Sequence, residues 1–580
     1  MGGVVPGDTN TAVWNDTITA DRSQVIGANL DWLGIRIANP GGTAALMTIG
    51  ATTSATLSLR GGGIDMSAAT VDLTIGAQLN LTQAQIWNVA SGRTLTTSGS
   101  LTSGTAALTL TGGGTVAVGN ALLGSGPLDL SNITLRSTSL TTRTFQNAVT
   151  LSGDIGAGGT GVAGPIIFGG NIAVGNAART ITLQSSNNNP TLADIILTLG
   201  SNTQNGVISG GSGGSLALEN GNASGQVIVR LGASAGSFEN SIEVPFSLGE
   251  RVIAIMSKNF FVGQAPVNVD GRLGLSNGSS GIVNPVVTGL TGSGFVDSGR
   301  STGGGTSTLT INGNSGTGTF GFSGTIENGA SGFVAITKSG STTQIFSGSN
   351  TYAGQTIVSG GSLLLNGTLV QPANIAGGFA SATNGRVRVE NGGVFGGSGR
   401  INATLDTNAN ANNLIYVLSG GTIAPGASIG TLTIDGANFT RTGGNDRLLN
   451  MASGAAFNFE LSGSGGTPDR IDFWNYAAGD LVLNNNTVNL SLAGPVTAGT
   501  YTVNIFRFFS DNGTTATASS VTSGLTLGTL DPDIQSASIG YDSANGLISV
   551  QYVAVPEPGT VALVGGLATL VMVALRRRFS

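Results

Sequence analysis

Short runs of alternating apolar and polar residues, separated by clusters of glycine, recur along most of this 580-residue chain. Residues 56–59 precede the glycine triplet 61–63, and residues 107–111 precede the triplet 112–114. A period of two places apolar side chains on one face of a β-strand, and glycine permits the positive-φ turns that join strands. The pattern predicts an all-β fold in which the following side chains face inward: Leu57, Leu59, Val71, Leu73, Ile75, Leu108, Leu110, Leu363, Leu365, Leu432 and Ile434.

The composition limits the chemistry that the chain can perform. It contains no Cys and no His, which excludes Ser-His-Asp and Cys-His catalysis and any zinc or haem site built on those side chains. Its 23 basic and 29 acidic residues give a net charge of -6, which argues against nucleic acid as a partner. We expect no cofactor and no metal.

Two longer segments are more specific than the short glycine-separated runs. Residues 347–367 read SGSNTYAGQTIVSGGSLLLNG, and residues 420–434 read GGTIAPGASIGTLTI. Both resemble the autotransporter-associated β-strand repeat of bacterial surface-protein passenger domains, and residues 61–101 and 108–154 resemble it more loosely. The resemblance implies a right-handed parallel β-helix, which we expect over residues 30–440.

The stacking of rungs supports the same architecture on physical grounds. A strand of about five residues cannot bury its apolar face alone, whereas stacked rungs bury it continuously and pair each backbone group with the neighbouring rungs. We therefore expect residues 30–440 to be mostly strand in parallel pairs, with helix confined to residues 559–577. A string of antiparallel β-sandwiches remains the alternative, because Asn-Gly hairpin dipeptides occur at 220–221, 277–278 and 366–367.

Two further regions lie on either side of residues 30–440. Residues 1–29 are expected to form an N-terminal strand or cap, and they contain no apolar signal-peptide core, so the natural start is expected to lie upstream. Residues 441–552 have longer strands with more aromatic residues, and we expect them to form a C-terminal β module that closes the open end of the helix. Residues 553–580 form a separate tail. Because this tail follows the body directly, we do not expect a self-secreting autotransporter.

The tail combines a proline-rich motif, an uncharged apolar stretch and a basic end. The residues of the motif are Val555, Pro556, Glu557 and Pro558, and those of the basic end are Arg576, Arg577 and Arg578. The sixteen residues 560–575 carry no charge. As a helix they would span about 24 Å, somewhat less than a hydrocarbon core of about 30 Å. Arginine beside a membrane span stays cytoplasmic, so the body would lie outside.

Together the three parts resemble a bacterial PEP-CTERM sorting signal. The resemblance implies a short transmembrane helix, recognition by a membrane-embedded exosortase, cleavage near the Pro-Glu-Pro motif, and delivery from the inner membrane to the surface or matrix of a Gram-negative-type bacterium. Exopolysaccharide or another surface component would then be the partner of the mature protein. An ordinary C-terminal membrane anchor is the alternative interpretation of the same residues.

A polysaccharide lyase or glycosidase on a β-helix is the alternative function. The best carboxylate groupings are Asp469 with Asp472 and Asp531 with Asp533, and we expect both to be structural, as strand-start caps and as a turn. The basic residues that such an enzyme could use are isolated (Lys258 and Lys338) or have only Glu390 nearby (Arg386 and Arg388). An aromatic stripe for sugar stacking is hard to assemble from 4 Trp and 6 Tyr. We therefore predict a structural or adhesive protein without catalytic residues.

Overall fold

A computed structural model describes most of the chain, which divides into two compact units. The first unit comprises Met1–Leu309 and Gly329–Gly332, and the second comprises Thr310–Asn328 and Phe333–Ser580. The described residues are 6–41, 43, 45–52, 54–120, 122–159, 164–185, 195–200, 206–232, 241–256, 261–262, 265–276, 281–299, 304–314, 318–371, 386–403, 413–437, 439, 446–510 and 523–556.

The first unit is built from strands stacked in three parallel sheets. Sheet a contains Thr11–Trp14, Leu30–Ala38, Thr56–Ala68, Gln78–Leu81, Gln85–Val89, Leu101–Gly104, Leu108–Thr111, Leu122–Gly124, Leu128–Leu130, Val149–Leu151, Ile172–Ala173, Val207–Ser209, Ser241–Ile242, Phe261–Val262 and Val286–Val287. Sheet b contains Arg22–Ile26, Leu46–Ala51, Asp72–Ile75, Thr94–Thr97, Thr115–Val118, Ile133–Ser137, Ile155–Gly158, Ala178–Gln184, Ser215–Asn220, Phe246–Leu248, Val267–Val269 and Leu290–Thr291. Sheet c contains Arg143–Phe145, Ile166–Phe168, Ile195–Leu199, Val227–Leu231, Val252–Met256, Arg272–Gly274 and Phe295–Asp297. The strand Thr306–Gly313 includes the boundary after Leu309.

The second unit repeats this plan with its own strands. Sheet d contains Phe333–Gly340, Thr356–Val358, Val387–Val389, Asn413–Val417, Arg447–Met451 and Leu481–Val482. Sheet e contains Thr319–Phe322, Thr343–Phe346, Gly361–Leu365, Gly393–Gly397, Thr422–Pro425, Ala456–Ser462, Asn486–Ala493 and Leu525–Leu530. Sheet f contains Ser349–Asn350, Thr368–Gln371, Arg400–Ala403, Thr431–Asp435, Arg470–Trp474, Gly499–Phe508, Leu547–Ala554 and Ile534–Asp542. The short strand Thr325–Ile326 completes the unit.

The core of each unit is a stack of inward-facing side chains from successive strands. In sheet b, Met47 lies opposite Leu73, which lies opposite Leu95, and all three are fully buried. Leu95 in turn lies opposite Val116, which is equally buried. Every apolar position predicted to face inward is buried, with at most 3% exposure, so the predicted inward face is confirmed.

The predicted parallel pairing of residues 30–440 is also confirmed for the part that the structure describes. All pairs of described strands in this region are parallel. Its antiparallel contacts are two isolated bridges, between Ala90 and Gly113 and between Gly397 and Gly426. The fold is therefore β-helix-like, not a string of antiparallel sandwiches. The Asn-Gly pair at 366–367 joins strands of sheets e and f within the stack, so this dipeptide marks a corner of a rung and not a hairpin.

Parallel stacking continues well past residue 440. Arg447–Met451 pairs in parallel with Asn413–Val417, and Leu525–Leu530 pairs in parallel with Asn486–Ala493. Antiparallel pairing begins only where Leu547–Ala554 lies between Gly499–Phe508 and Ile534–Asp542. The aromatic residues that become more frequent after about residue 441 form an aromatic core. The stacked rings of Phe473 and Phe508 have centroids 5.1 Å apart, and the rings of Phe457 and Phe506 meet edge to face at 5.2 Å. The domain limits derived from the sequence remain predictions.

The ends of the chain bear on two further expectations. Thr11–Trp14 and Arg22–Ile26, from the expected N-terminal cap, pair in parallel with the following strands. The expected transmembrane helix at residues 559–577 lies outside the described residues. Among the residues that the structure does describe, there is no helix with the length and apolar character needed to cross a membrane.

Candidate functional site

A row of charged and aromatic side chains projects from the outer side of sheet f. In Arg470–Trp474, Ile471 and Phe473 are fully buried in the core, so the alternate side chains point outward. The strand register places Asp472 opposite Thr433 on one neighbouring strand and opposite Arg507 on the other. We name the resulting group the outer patch, which comprises Arg400, Asn402, Asp435, Arg470, Asp472, Trp474, Arg507 and Phe509.

Asp472 is held by two arginines. Arg470 Nε donates to Asp472 Oδ1 at 2.7 Å, and Arg507 donates through Nε to Oδ1 at 3.0 Å and through Nη2 to Oδ2 at 2.6 Å. These contacts cover the carboxylate, which is only 4% exposed although it points outward. The hydrogen bond to Asp472 also raises the pKa of Arg507 above its usual value, so the guanidinium stays charged.

Asp435 is enclosed more completely, by one arginine and two asparagines. Arg400 Nε donates to Oδ2 at 3.1 Å and its Nη2 donates to the same oxygen, while Asn402 Nδ2 donates at 3.0 Å. Asn475 Nδ2 donates to Oδ1 at 2.6 Å from a residue with a φ of 53°, and the Ala437 N–H donates at 3.0 Å. A fully buried carboxylate with five donors has little capacity left to act on a substrate.

An aromatic pair lies beside these ion pairs. The rings of Trp474 and Phe509 are stacked with their centroids 4.7 Å apart, and the guanidinium carbon of Arg507 lies 5.1 Å from the Phe509 centroid. The counts of Trp and Tyr indicated that such a platform was hard to assemble, but a phenylalanine supplies the second ring. Period-two alternation at Arg470, Asp472 and Trp474 predicts a shared outer face on one strand, whereas Phe509 joins it only through the pairing of strands.

Several donors of the outer patch have no protein partner in the described part of the chain. Arg400 and Arg507 use Nε and Nη2 for their carboxylates, which leaves the Nη1 group of each without a hydrogen bond to a described residue. Trp474 has a half-buried side chain, and its indole N–H likewise has no hydrogen bond to a described residue. This N–H is not one of the fully buried atoms that lack a partner. Within the part of the chain that the structure describes, these three donors are open to solvent or to a ligand.

Asp469, the first carboxylate identified from the sequence, closes a loop. Its Oδ1 accepts the Gly430 N–H at 2.8 Å and its Oδ2 accepts the Glu460 N–H at 2.8 Å, while its own N–H donates to Glu460 O at 2.7 Å. Burial raises the pKa of Asp469 to about 7 despite these two donors. A carboxyl group with such a pKa suits proton transfer, but both oxygens here already bind backbone amides.

The second carboxylate pair forms a turn. Asp531 Oδ1 accepts the Asp533 N–H at 3.0 Å and Oδ2 accepts the Leu492 N–H at 3.0 Å, while Asp531 O accepts the Ile534 N–H at 2.9 Å. The geometry is that of an aspartate-capped turn before a strand. Across the described residues, no group of three acidic side chains is placed to hold a metal ion.

The proline-rich motif leaves the body at this turn. Val555 follows directly after Leu547–Ala554, and its N–H donates to Asp533 O at 2.8 Å. Its side chain is 43% exposed. Pro556 is the last described residue, so Glu557 and Pro558 of the motif lie outside the described residues, as do Arg576, Arg577 and Arg578.

Two of the basic residues considered for an enzyme, Lys338 and Arg388, have partners in the structure. Lys338 is fully buried, and its Nζ donates to Ser339 O at 2.7 Å and to Gly360 O at 3.2 Å. Burial lowers the pKa of Lys338 to about 8. Arg388 and Glu390 form an ion pair at 3.1 Å, and Lys258 lies outside the described residues.

The comparison with known families identifies the segment that contains Lys338. The model of the Passenger-associated-transport-repeat family matches residues 336–365. These residues run from the sheet d strand Phe333–Gly340 to the sheet e strand Gly361–Leu365. They cover more than one turn of the stack, because Ile336 already pairs with Thr356. No curated protein matches the chain. The repeat and the stacked parallel strands fit a surface-associated protein of the autotransporter-passenger type.

Proposed function

We propose that this chain is an exported structural or adhesive protein of the bacterial surface or extracellular matrix. The observation that carries the proposal is the matched repeat at 336–365, which forms part of a stack of parallel strands. Such a stack offers long lateral faces to a partner, and its backbone groups are paired between rungs. The function would then reside in the faces of the stack and not in a catalytic pocket.

We also propose that the tail sorts the protein. Val555 is exposed and follows the last strand, which supports a cleavable segment that can be reached without unfolding the body. Pro556 and Pro558 restrict φ and favour extended geometry in the residues before them, so Glu557 would be held in a non-helical segment. An exosortase-type membrane protease would read this segment, while the arginine cluster fixes its orientation.

The experiment is a mass measurement of the mature C-terminus in a host that carries an exosortase. We expect the wild-type protein to lose about 20 residues and to reach the surface. The apolar stretch is shorter than a stable membrane span, so it would hold the protein in the membrane only weakly. Glu557→Ala and Pro558→Ala should leave the uncleaved protein in the inner membrane, whereas Gln551→Ala, an exposed position on the last strand, should behave as wild type. Surface protein that retains Ser580 would reduce the tail to an ordinary anchor.

The proposal excludes catalysis by the two carboxylate pairs. Asp469 binds two backbone amides and Asp531 forms a turn, which supports a structural role for both. We expect purified protein to release neither reducing ends nor unsaturated products from a panel of acidic and neutral glycans. Release of either product would favour the alternative, a β-helix enzyme that degrades polysaccharide.

A further inference from the structure

We propose that the outer patch binds an acidic polysaccharide, with the sugar rings on Trp474 and Phe509 and the uronate carboxylates on the free guanidinium edges of Arg400 and Arg507. This inference rests on the proposed surface function and gives it a binding site. The structural observation behind it is the combination, on one sheet face, of an outward aromatic pair with three donors that have no partner among the described residues.

The charge of the outer patch favours an anionic ligand. Its three arginines and two aspartates leave one net positive charge, although the chain as a whole carries -6. Asp435 and Asp472 hold Arg400 and Arg507 by their Nε and Nη2 atoms, so the side chains are already oriented before a ligand arrives. A preoriented guanidinium loses less conformational entropy when its remaining N–H groups bind a carboxylate.

The aromatic pair favours a sugar over a simple anion. A pyranose presents an apolar face of C–H groups and a rim of hydroxyl oxygens, and binding sites of this kind combine aromatic surface with a few fixed polar groups. Trp474 supplies both an aromatic face and an indole N–H that can donate to a hydroxyl or carboxylate oxygen.

The arrangement also suits a polymer more than a single sugar. The outer patch crosses four adjacent strands, Arg400–Ala403, Thr431–Asp435, Arg470–Trp474 and Gly499–Phe508. At a spacing of about 4.8 Å between strands, this distance is about 14 Å, enough for successive sugars of one chain. Arg400 and Arg507 lie on the two outermost of these strands, and their guanidinium groups reach Asp435 and Asp472 on the two inner ones. The two guanidinium groups therefore occupy separate positions and can engage carboxylates on different sugar residues.

The test measures binding of polygalacturonate, an acidic polymer, and dextran, a neutral one, to the full-length protein by affinity electrophoresis. We expect retardation by polygalacturonate alone, and its loss at high salt, on the order of 0.5 M, where surface charges are screened. Trp474→Ala should weaken the binding at least about tenfold. Arg507→Lys keeps a charge beside Asp472 but removes the free guanidinium edge, and it should weaken binding as well.

Tyr416→Ala is the matched control, because Tyr416 is a half-buried, outward aromatic residue on sheet d, away from the outer patch. Its binding should equal that of the wild type. Absence of binding to polygalacturonate, equal binding to dextran, or unchanged binding by both Trp474→Ala and Arg507→Lys would overturn the proposal. If Trp474→Ala does not fold, as judged by its melting temperature against the control, Arg507→Lys decides the question. Surface localisation is measured separately, so loss of binding leaves the proposed export intact.

Discussion

Individual inward side chains determine the stability of the stack. Leu73 is fully buried between Met47 and Leu95 of the neighbouring strands. Leu73→Ala should lower the free energy of unfolding by about 2–5 kcal/mol, because the cavity is bounded by strands that cannot collapse freely. Thr74→Ala, an outward position on the same strand, should change it by less than about 0.5 kcal/mol. Urea unfolding checks both variants, and equal losses would contradict the assigned inward face.

Asp469 should make stability depend on pH in a range where few other groups titrate. Its pKa is raised to about 7 in the folded protein, so between pH 4 and 7 the unfolded chain has lost a proton that the folded chain retains. The free energy of unfolding should therefore fall as the pH rises through this interval and become constant above it. The chain has no His, which leaves this interval largely to such carboxyl groups.

Urea midpoints measured between pH 5 and 8 check this dependence, with Asp469→Asn as the comparison. The amide keeps one acceptor oxygen for the Gly430 or Glu460 N–H but cannot ionise. We expect the variant to be less stable at pH 5 and to show a flatter pH profile than the wild type. An identical slope in both proteins would assign the dependence to other carboxyl groups.

At the scale of single elements, tight corners determine where strands begin. In the repeat matched at 336–365, the sheet e strand starts at Gly361, whose φ is 59°. A Cβ at this position would lie 2.6 Å from Gly340 O and 2.9 Å from Lys338 Nζ. The same corner contains the carbonyl groups that hold the buried Lys338 ammonium, so the glycine and the lysine depend on one geometry.

Gly361→Ala should therefore destabilise the second unit by about 1–3 kcal/mol, since alanine must adopt a positive φ and also displace backbone atoms. Gly321→Ala is the matched control, because a Cβ there meets nothing within 4 Å and its φ is not in the left-handed region. Thermal unfolding of the two variants distinguishes them. A Gly361→Ala protein as stable as the Gly321→Ala protein would show that the corner can relax.

At the scale of the whole molecule, the second unit ends in a hairpin that changes the pairing from parallel to antiparallel. Leu547–Ala554 covers the edge of Gly499–Phe508, and Ile534–Asp542 forms the next strand outward. An uncovered strand edge would present free N–H and C=O groups to other chains. Among the described strands, the two pairings made by Leu547–Ala554 are the only antiparallel ones of more than one residue pair.

Deletion of residues 534–580 should lead to oligomers or aggregates, because it removes both hairpin strands. Deletion of residues 557–580 alone keeps the hairpin and should leave the protein monodisperse. Light scattering coupled to size-exclusion chromatography measures the difference. A monodisperse product from the longer deletion would mean that the edge of Gly499–Phe508 needs no cover.

Local patterns in the sequence were sufficient to predict the strands, their inward faces and the glycine-rich turns between them. Alternation at Leu57 and Leu59, or at Leu432 and Ile434, is a local property, because successive side chains of a strand point to opposite sides whatever the strand pairs with. The burial of these residues follows from that alternation. The repeat resemblance at 347–367 added the parallel direction of pairing, which alternation alone does not specify.

Which strands are neighbours, and therefore which residues form the outer patch, depends on the tertiary structure. Leu57 pairs with Leu79, 22 residues on, whereas Asp472 pairs with Arg507, 35 residues on. Rung length varies with the loops, so no fixed period predicts that Arg507 and Phe509 lie beside Asp472 and Trp474. The sequence predicted Asp472 to be a strand-start cap, whereas in the structure it also accepts two hydrogen bonds from Arg507 on the next rung. Registers between distant strands depend on loop lengths and on the packing of the whole core, which local patterns do not encode.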